Sequence, residues 1–206
     1  LSRLDANVPI LSEETSIPEV ITQDGFSDYY WLVDPLDGTK EFLKKNGQFT
    51  VNIALAKNGQ PIMGVIYAPA LDHLYYGEVG CGAFFVDSSR EQQHLPIYED
   101  NEDNVVKIVV SNSHMNQATK DYIDTIRLSA KKEIEILPMG SSLKLCKVAE
   151  GSANMYPRLG PVSYWDIAAG HAILRSVGKS LTLLDGQLLE YNVFKNNSCR
   201  IPGFLC

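Results

Sequence analysis

The chain has 206 residues, 45% hydrophobic and 21% charged, ordinary values for a globular protein with room for one large core or two small ones. Its formal net charge of −7 lacks the basic footprint of a nucleic-acid binder. No apolar run approaches the roughly 20 residues that a membrane span needs. Cys81, Cys146, Cys199 and Cys206 form neither a CxxC nor a His–Cys cluster, which argues against zinc and for free thiols in a reducing compartment.

The opening "LSRLDANVPILSEE" lacks an initiator methionine and enters almost at once on a strand-like "VPIL", so it reads as the middle of a protein. Residues 16–28 are polar and punctuated by Pro and Gly, as in a surface loop. "YYWLVD" reads as a short buried strand, apolar throughout rather than alternating. "FTVNIALAKNGQPIMGVIYAP" predicts two strands joined at Asn58-Gly59, a strong hairpin signal. "HLYYGEVGCGAFFVD" adds two more. The acidic stretch 87–104 is the best boundary, dividing the chain into 1–104 and 105–206.

Beyond it the pattern alternates. "VKIVVS" predicts a buried strand, residues 116–131 a helix, "EIEILPMG" a strand, and 142–150 a short helix ending at Gly151. "ANMYPRLG" and "SLTLLDG" read as strands on either side of a small-residue helix over 166–177, stopped by Gly178.

Three acidic clusters stand at element ends. In "WLVDPLDGTKEF", Asp34 and Asp37 follow a strand, with Pro35 fixing the backbone between them. Pro, Asp and Gly are turn residues, so a plain turn is one reading. The other is a magnesium site, because this hard cation takes a few carboxylates plus substrate phosphate. The Leu36 carbonyl would then be a third donor, and the Thr39 hydroxyl could orient a water. Glu13 and Glu14 follow the first strand, where a solvated strand end is the bland alternative. Asp166 opens the helix "WDIAAGHAIL", where an N-cap is the common role, although the helix N-terminus also favours an anion. Haloacid-dehalogenase phosphatases use Asp-x-Asp-Gly-Thr; the two-residue spacer here puts the carboxylates in another register, and that reading is rejected.

Together "SEE", "DPLDGT" and "WDIAAG" resemble the lithium-sensitive, magnesium-dependent inositol monophosphatase superfamily. "WLVDPLDGTKEF", "GSSLK", "VAEGSANMYPRLGP" and "WDIAAGHAIL" resemble its 3'(2'),5'-bisphosphate nucleotidase branch, and the likeness runs from about Val8 to Pro202. The resemblance implies a layered α-β-α-β-α sandwich, with an antiparallel N-terminal sheet and a mixed C-terminal sheet with helices. It implies two or three magnesium ions, inhibition by lithium, and metal ligands Glu13, Asp34, the Leu36 carbonyl, Asp37 and Asp166. Glu13, Asp37 and Thr39 would be catalytic, with Thr39 hydrogen-bonding a metal-activated water, helped by Glu13, in an in-line displacement without a phospho-enzyme. Gly38, Thr39 and Asp166 would touch the scissile phosphate. His114, Ser141, Lys144 and Arg158 match a pocket for a second, uncleaved phosphate, although Lys144 also reads as a solvated helix residue and a lone His as structural.

The implied reaction is hydrolysis of adenosine 3',5'-bisphosphate to AMP and phosphate, clearing a by-product of sulfate assimilation. The protein would be cytoplasmic, peripheral at the inner membrane in one variant, and a monomer or homodimer. An inositol monophosphatase is the nearest rival and has no use for the second pocket; a fructose-bisphosphatase is weaker for the same reason. A catalytically inactive fragment that keeps the fold is the rival outside enzymes. Superfamily members carry residues before this start that form opening helices and part of an additional metal position.

Overall fold

Asn58 and Gly59 both adopt positive φ, 50° and 75°, the geometry of the tight turn whose twist suits a hairpin. Around them β3 (Thr50–Lys57) and β4 (Gln60–Ala68) pair antiparallel. Alternate residues of β3 are buried, from Thr50 to Ala56, the two-residue period of a strand with one covered face. The protein is described here from a computed structural model, which covers residues 1, 7–15, 28–98, 104–113, 115–130, 132–191 and 199–206. The predicted loop 16–28 therefore lies, except for Asp28, outside the described residues.

Seven strands lie side by side in chain order: β1 (Ile10–Ser12), β2 (Tyr29–Asp37), β3, β4, β5 (His73–Glu78), β6 (Gly82–Val86) and β7 (Gln92–His94). Neighbours are antiparallel except β1 and β2, which run parallel. The short helix α1 (Thr39–Leu43) leaves the end of β2. In the second half, β8 (Val105–Ser111) and β9 (Glu133–Met139) pair parallel, joined by α2 (Gln117–Ser129). They are followed by α3 (Leu143–Glu150), β10 (Val162–Ser163), α4 (Tyr164–Ser176) and β11 (Arg200–Ile201).

The main core joins the seven-stranded sheet to α3 and α4, with Tyr30, Leu32, Ile66, Leu145 and Ile173 among its members. A second cluster places Ile108 and Val110 of β8 against Ile123 of α2, while Val109 between them faces the main core. Burial on both faces accounts for the consecutive apolar residues 108–110 of β8. The resulting order is sheet, α3 and α4, the β8–β9 pair, then α2. This is the expected layered α+β arrangement, seen in its last four layers among the described residues. None of their helices is long and apolar enough to cross a membrane.

Small residues set the closest approach. A Cβ on Gly64 of β4 would lie 2.2 Å from the Ala169 carbonyl oxygen of α4. Buried Ala54, Ala56 and Ala68 of the sheet and Ala168, Ala169 and Ala172 of α4 continue the pattern. The "AAG" run thus seats a helix directly on the sheet.

Two expected strands do not form. Residues 153–160 make only isolated bridges, Met155 to Ile108 and Arg158 to Phe204, because Pro157 has no N–H to continue a ladder. Residues 180–186 likewise make bridges through Thr182 alone, and Gly186 then closes a turn by donating to the Leu183 carbonyl.

Candidate metal and phosphate cleft

β2 does not stop at Asp34. Asp34 pairs with Asn52 and Asp37 with Thr50, so Pro35 and Leu36 together oppose Val51 alone. That two-against-one pairing is a β-bulge. Residues three apart on a regular strand face opposite ways; the extra residue returns Asp37 to the face of Asp34. The expected turn after a strand is therefore a bulge within one, and bulges are where Pro is tolerated. Asp34 Oδ1 accepts the Leu36 N–H at 2.9 Å, which fixes the bulge.

Asp166 arrives from above. α4 begins at Tyr164, two residues earlier than expected, so Asp166 is not its N-cap. Ser163 is the cap, and Asp166 Oδ2 accepts the Ser163 N–H at 3.0 Å in a capping box. One Asp166 oxygen is committed to the helix terminus, and the close seating of α4 on the sheet carries the side chain to the end of β2. Carboxylate oxygens of Asp34, Asp37 and Asp166 then lie within 4.8 Å of one another.

Three acids so close, and largely buried, resist ionising together. Burial, and then the charge of Asp37, raise the Asp34 carboxyl to about 8. The same two causes, in the same order, raise Asp166 to about 7. Burial also raises Asp37, opposed by Lys144 and by hydrogen bonds from Asn52, Ser142 and Thr50. A hard divalent cation among these oxygens would offset both their burial and their mutual repulsion, so the donor set fits magnesium. Glu13 is exposed at the rim, and Leu36, Gly38 and Thr39 line the same cleft of about 300 Å³. Glu14 is exposed and not among the lining residues. Gly38 has φ 86°, and a Cβ there would press on Ser141 Cβ and the Gln48 carbonyl oxygen, each at 3.2 Å. Glycine thus lets the "DGT" wall meet the "GSS" wall.

Ser141, Lys144 and Arg158 line the cleft as well. Ser141 does not share a helix face with Lys144, because α3 starts at Leu143 and Ser141 holds a left-handed φ of 47° before it. Lys144 is not solvated: it is 4% exposed, donates to the Met139 and Ser141 carbonyls, and stands 5.3 Å over the Tyr156 ring. Burial lowers its ammonium to about 8, against the pull of Asp37. Arg158 is held by paired backbone bonds with Phe204, and one guanidinium nitrogen donates to the Pro161 carbonyl at 3.2 Å. Its Nε is buried and has no hydrogen-bond partner among the described residues. His114 lies outside the described residues.

Several residues escaped the sequence reading. The Ser142 N–H donates to Asp37 Oδ2 at 2.6 Å, and its hydroxyl lies 2.8 Å from Thr50 Oγ1 and donates to Asn52 Oδ1 at 2.7 Å. Asn52 and Thr50 are the cross-strand partners of Asp34 and Asp37, so two polar residues two apart at the start of the otherwise apolar buried face of β3 were the available signal. Glu41, 3% exposed, also lines the cleft; a single acid in "TKEF" carries no periodic signal.

The fold and cluster define a layered α+β protein with a cleft in which three clustered carboxylates could hold a metal ion. The chain belongs to the inositol monophosphatase family, whose model matches residues 2–202. It is 43% identical over 206 residues to the 3'(2'),5'-bisphosphate nucleotidase CysQ of Buchnera aphidicola subsp. Acyrthosiphon pisum, covering 99% of this chain and 73% of that one. Identity to the CysQ of Escherichia coli K12 is 40% over 210 residues, covering 99% and 77%. The crystal structure of CysQ from Bacteroides thetaiotaomicron superposes with a TM-score of 0.88 at 36% identity, over 98% of this chain and 78% of that one.

Proposed function

We propose that this chain hydrolyses a nucleoside 3',5'-bisphosphate, adenosine 3',5'-bisphosphate first, to the 5'-monophosphate and phosphate. One observation carries the reading: a single cleft joins the carboxylate cluster to a buried Lys144 and an Arg158 with an unsatisfied Nε. A monophosphorylated polyol has nothing for the second group to bind, which disfavours the inositol monophosphatase reading. The identity to proteins named 3'(2'),5'-bisphosphate nucleotidase supports the same choice.

In this reading Asp34, Asp37, Asp166, the Leu36 carbonyl and Glu13 hold magnesium. Bound there, the ion neutralises charge on the scissile phosphate and lowers the pKa of water. Thr39 and Glu13 orient that water for in-line attack, and backbone N–H groups at Gly38 and Thr39 face phosphate oxygens. Ser141, Lys144 and Arg158 take the uncleaved phosphate; the hydrogen bonds from Lys144 to the Met139 and Ser141 carbonyls hold the ammonium in place before substrate arrives. Four free cysteines support a reducing, cytoplasmic setting.

The test is phosphate release from adenosine 3',5'-bisphosphate and inositol 1-phosphate in parallel, with magnesium, with chelator, and with added lithium. Selective, magnesium-dependent, lithium-sensitive release from the nucleotide supports the proposal. Preference for inositol 1-phosphate replaces it with the rival phosphatase. No release from either by folded protein assigns the chain to the inactive alternative.

A further inference from the structure

α1 carries Thr39 at its first position, yet it is only five residues long and its one buried residue is Glu41. A single helical turn has no stability of its own in water, so something outside must fix it. Phe42 gives it one edge-to-face contact with Phe49, at 5.0 Å, while staying 46% exposed. A second attachment is polar and crosses the cleft. Glu41 Oε1 accepts the Ser113 hydroxyl at 2.5 Å, and Oε2 accepts the Asn46 amide. Ser113 follows the end of β8 and lines the opposite wall. Lys44 Nζ, just past α1, also donates to Ser113 Oγ, at 3.4 Å.

We propose that Glu41 is a positioning residue: through Ser113 it clasps α1 to the segment after β8, fixing Thr39 and the spacing between the two walls of the cleft. This rests on the functional reading above for its effect on turnover, though not for the clasp itself. The Ser113 hydrogen bond, first among several causes, holds the Glu41 carboxyl below its usual range, so the clasp is ionised at neutral pH. Both oxygens of Glu41 are engaged with the protein, which makes its role one of placement. A displacement of about 1 Å can cost on the order of a hundredfold in rate, so a loosened α1 should be read in kcat.

The test uses the 206-residue chain with Glu41→Ala, Glu41→Gln, Ser113→Ala and the Glu41→Ala/Ser113→Ala double variant. Two readouts are taken: amide hydrogen exchange without metal, and steady-state phosphate release with magnesium. Amides of Phe42, Lys44 and Lys45 should exchange about tenfold faster in both alanine variants, with the sheet unchanged. Their kcat should fall at least about tenfold with KM within threefold, and the double variant should be no worse than either single, the mark of one shared interaction. Glu41→Gln, which keeps an oxygen for the Ser113 hydroxyl, should restore most of both. Unchanged exchange in α1, additive losses, or a lowered Tm with normal kcat would overturn the proposal. If the wild-type chain releases no phosphate, the functional reading falls, and the exchange result alone decides the clasp.

Discussion

Asp37 has the most partners of the three clustered acids: the Ser142 N–H, Asn52 and Thr50 all reach the same oxygen, Oδ2. Replacing it by Asn removes one charge from a mutually repelling set while keeping an acceptor. Asp37→Asn should therefore leave Tm unchanged or higher, while phosphate release falls by more than the roughly 10–100-fold typical of losing a supporting partner at a metal site. Unfolding, or retained turnover, would refute this. Arg158→Ala removes a charged donor from the proposed second-phosphate pocket, a bond of about 1.5–3 kcal/mol. Its KM for adenosine 3',5'-bisphosphate should rise at least about tenfold, and that for a monophosphate hardly at all; equal shifts would remove Arg158 from that pocket. At this scale the sequence was most legible in the acids Asp34, Asp37 and Asp166, whose carboxylates the fold brings together. Ser142 and Glu41 were not, because their roles depend on which loops meet across the cleft.

α4 is the element on which the cleft depends, since it delivers Asp166 and covers the sheet. Gly64→Ala would drive a methyl against the Ala169 carbonyl, so α4 must lift. The expected loss is about 1–3 kcal/mol or more, read from urea midpoints, with a parallel loss of activity as Asp166 withdraws. The same helix holds a buried neutral imidazole. His171 Nε2 accepts the Leu181 N–H at 3.3 Å, so Nδ1 carries the proton and donates to Tyr191 Oη at 3.1 Å. Burial lowers its pKa from 6.5 to about 3. The unfolded chain thus takes up a proton that the fold refuses: His171's contribution is complete above pH 6.5 and shrinks as pH falls toward 3. The slope is about 1.4 kcal/mol per pH unit. His171→Gln should flatten the acid side of the stability profile between pH 6 and 4.5; an unchanged profile would show that the imidazole titrates freely in the fold.

For the molecule as a whole, the layered class followed from the resemblance of the motifs to a known family, whereas the hairpin at Asn58-Gly59 and the later alternation of strand and helix could be read from pattern, because turn chemistry and period both act locally. The segments 153–160 and 180–186 could not. Tyr156 and Leu181 are buried in the core, but the backbone bridges of these segments come one at a time from Ile108, Phe204, Leu188 and Leu205, contacts that only the assembled fold supplies. The two walls of the cleft come from opposite halves of the chain, so a cation bound between them should stabilise the whole. Magnesium at about 100 times its dissociation constant would add about 2.7 kcal/mol, a rise in Tm on the order of 5–10 °C for a chain of this size. No rise would argue that the cluster does not hold the ion.

The bulge at Pro35 and Leu36 turns spacing into a question of parity. On a strand, even separations share a face and odd ones do not, so two acids three apart are usable together only if one residue is taken out of the count. Asp-x-Asp in a regular strand and Asp-x-x-Asp across a bulge are then equivalent solutions, and a search for paired acids by fixed interval alone would miss the second. The converse is a rule for deletions: removing Leu36 should erase the bulge and leave Asp34 and its new neighbour two along on one face, whereas removing a residue from β2 ahead of Asp34 would turn the bulged pair, still together, away from α4.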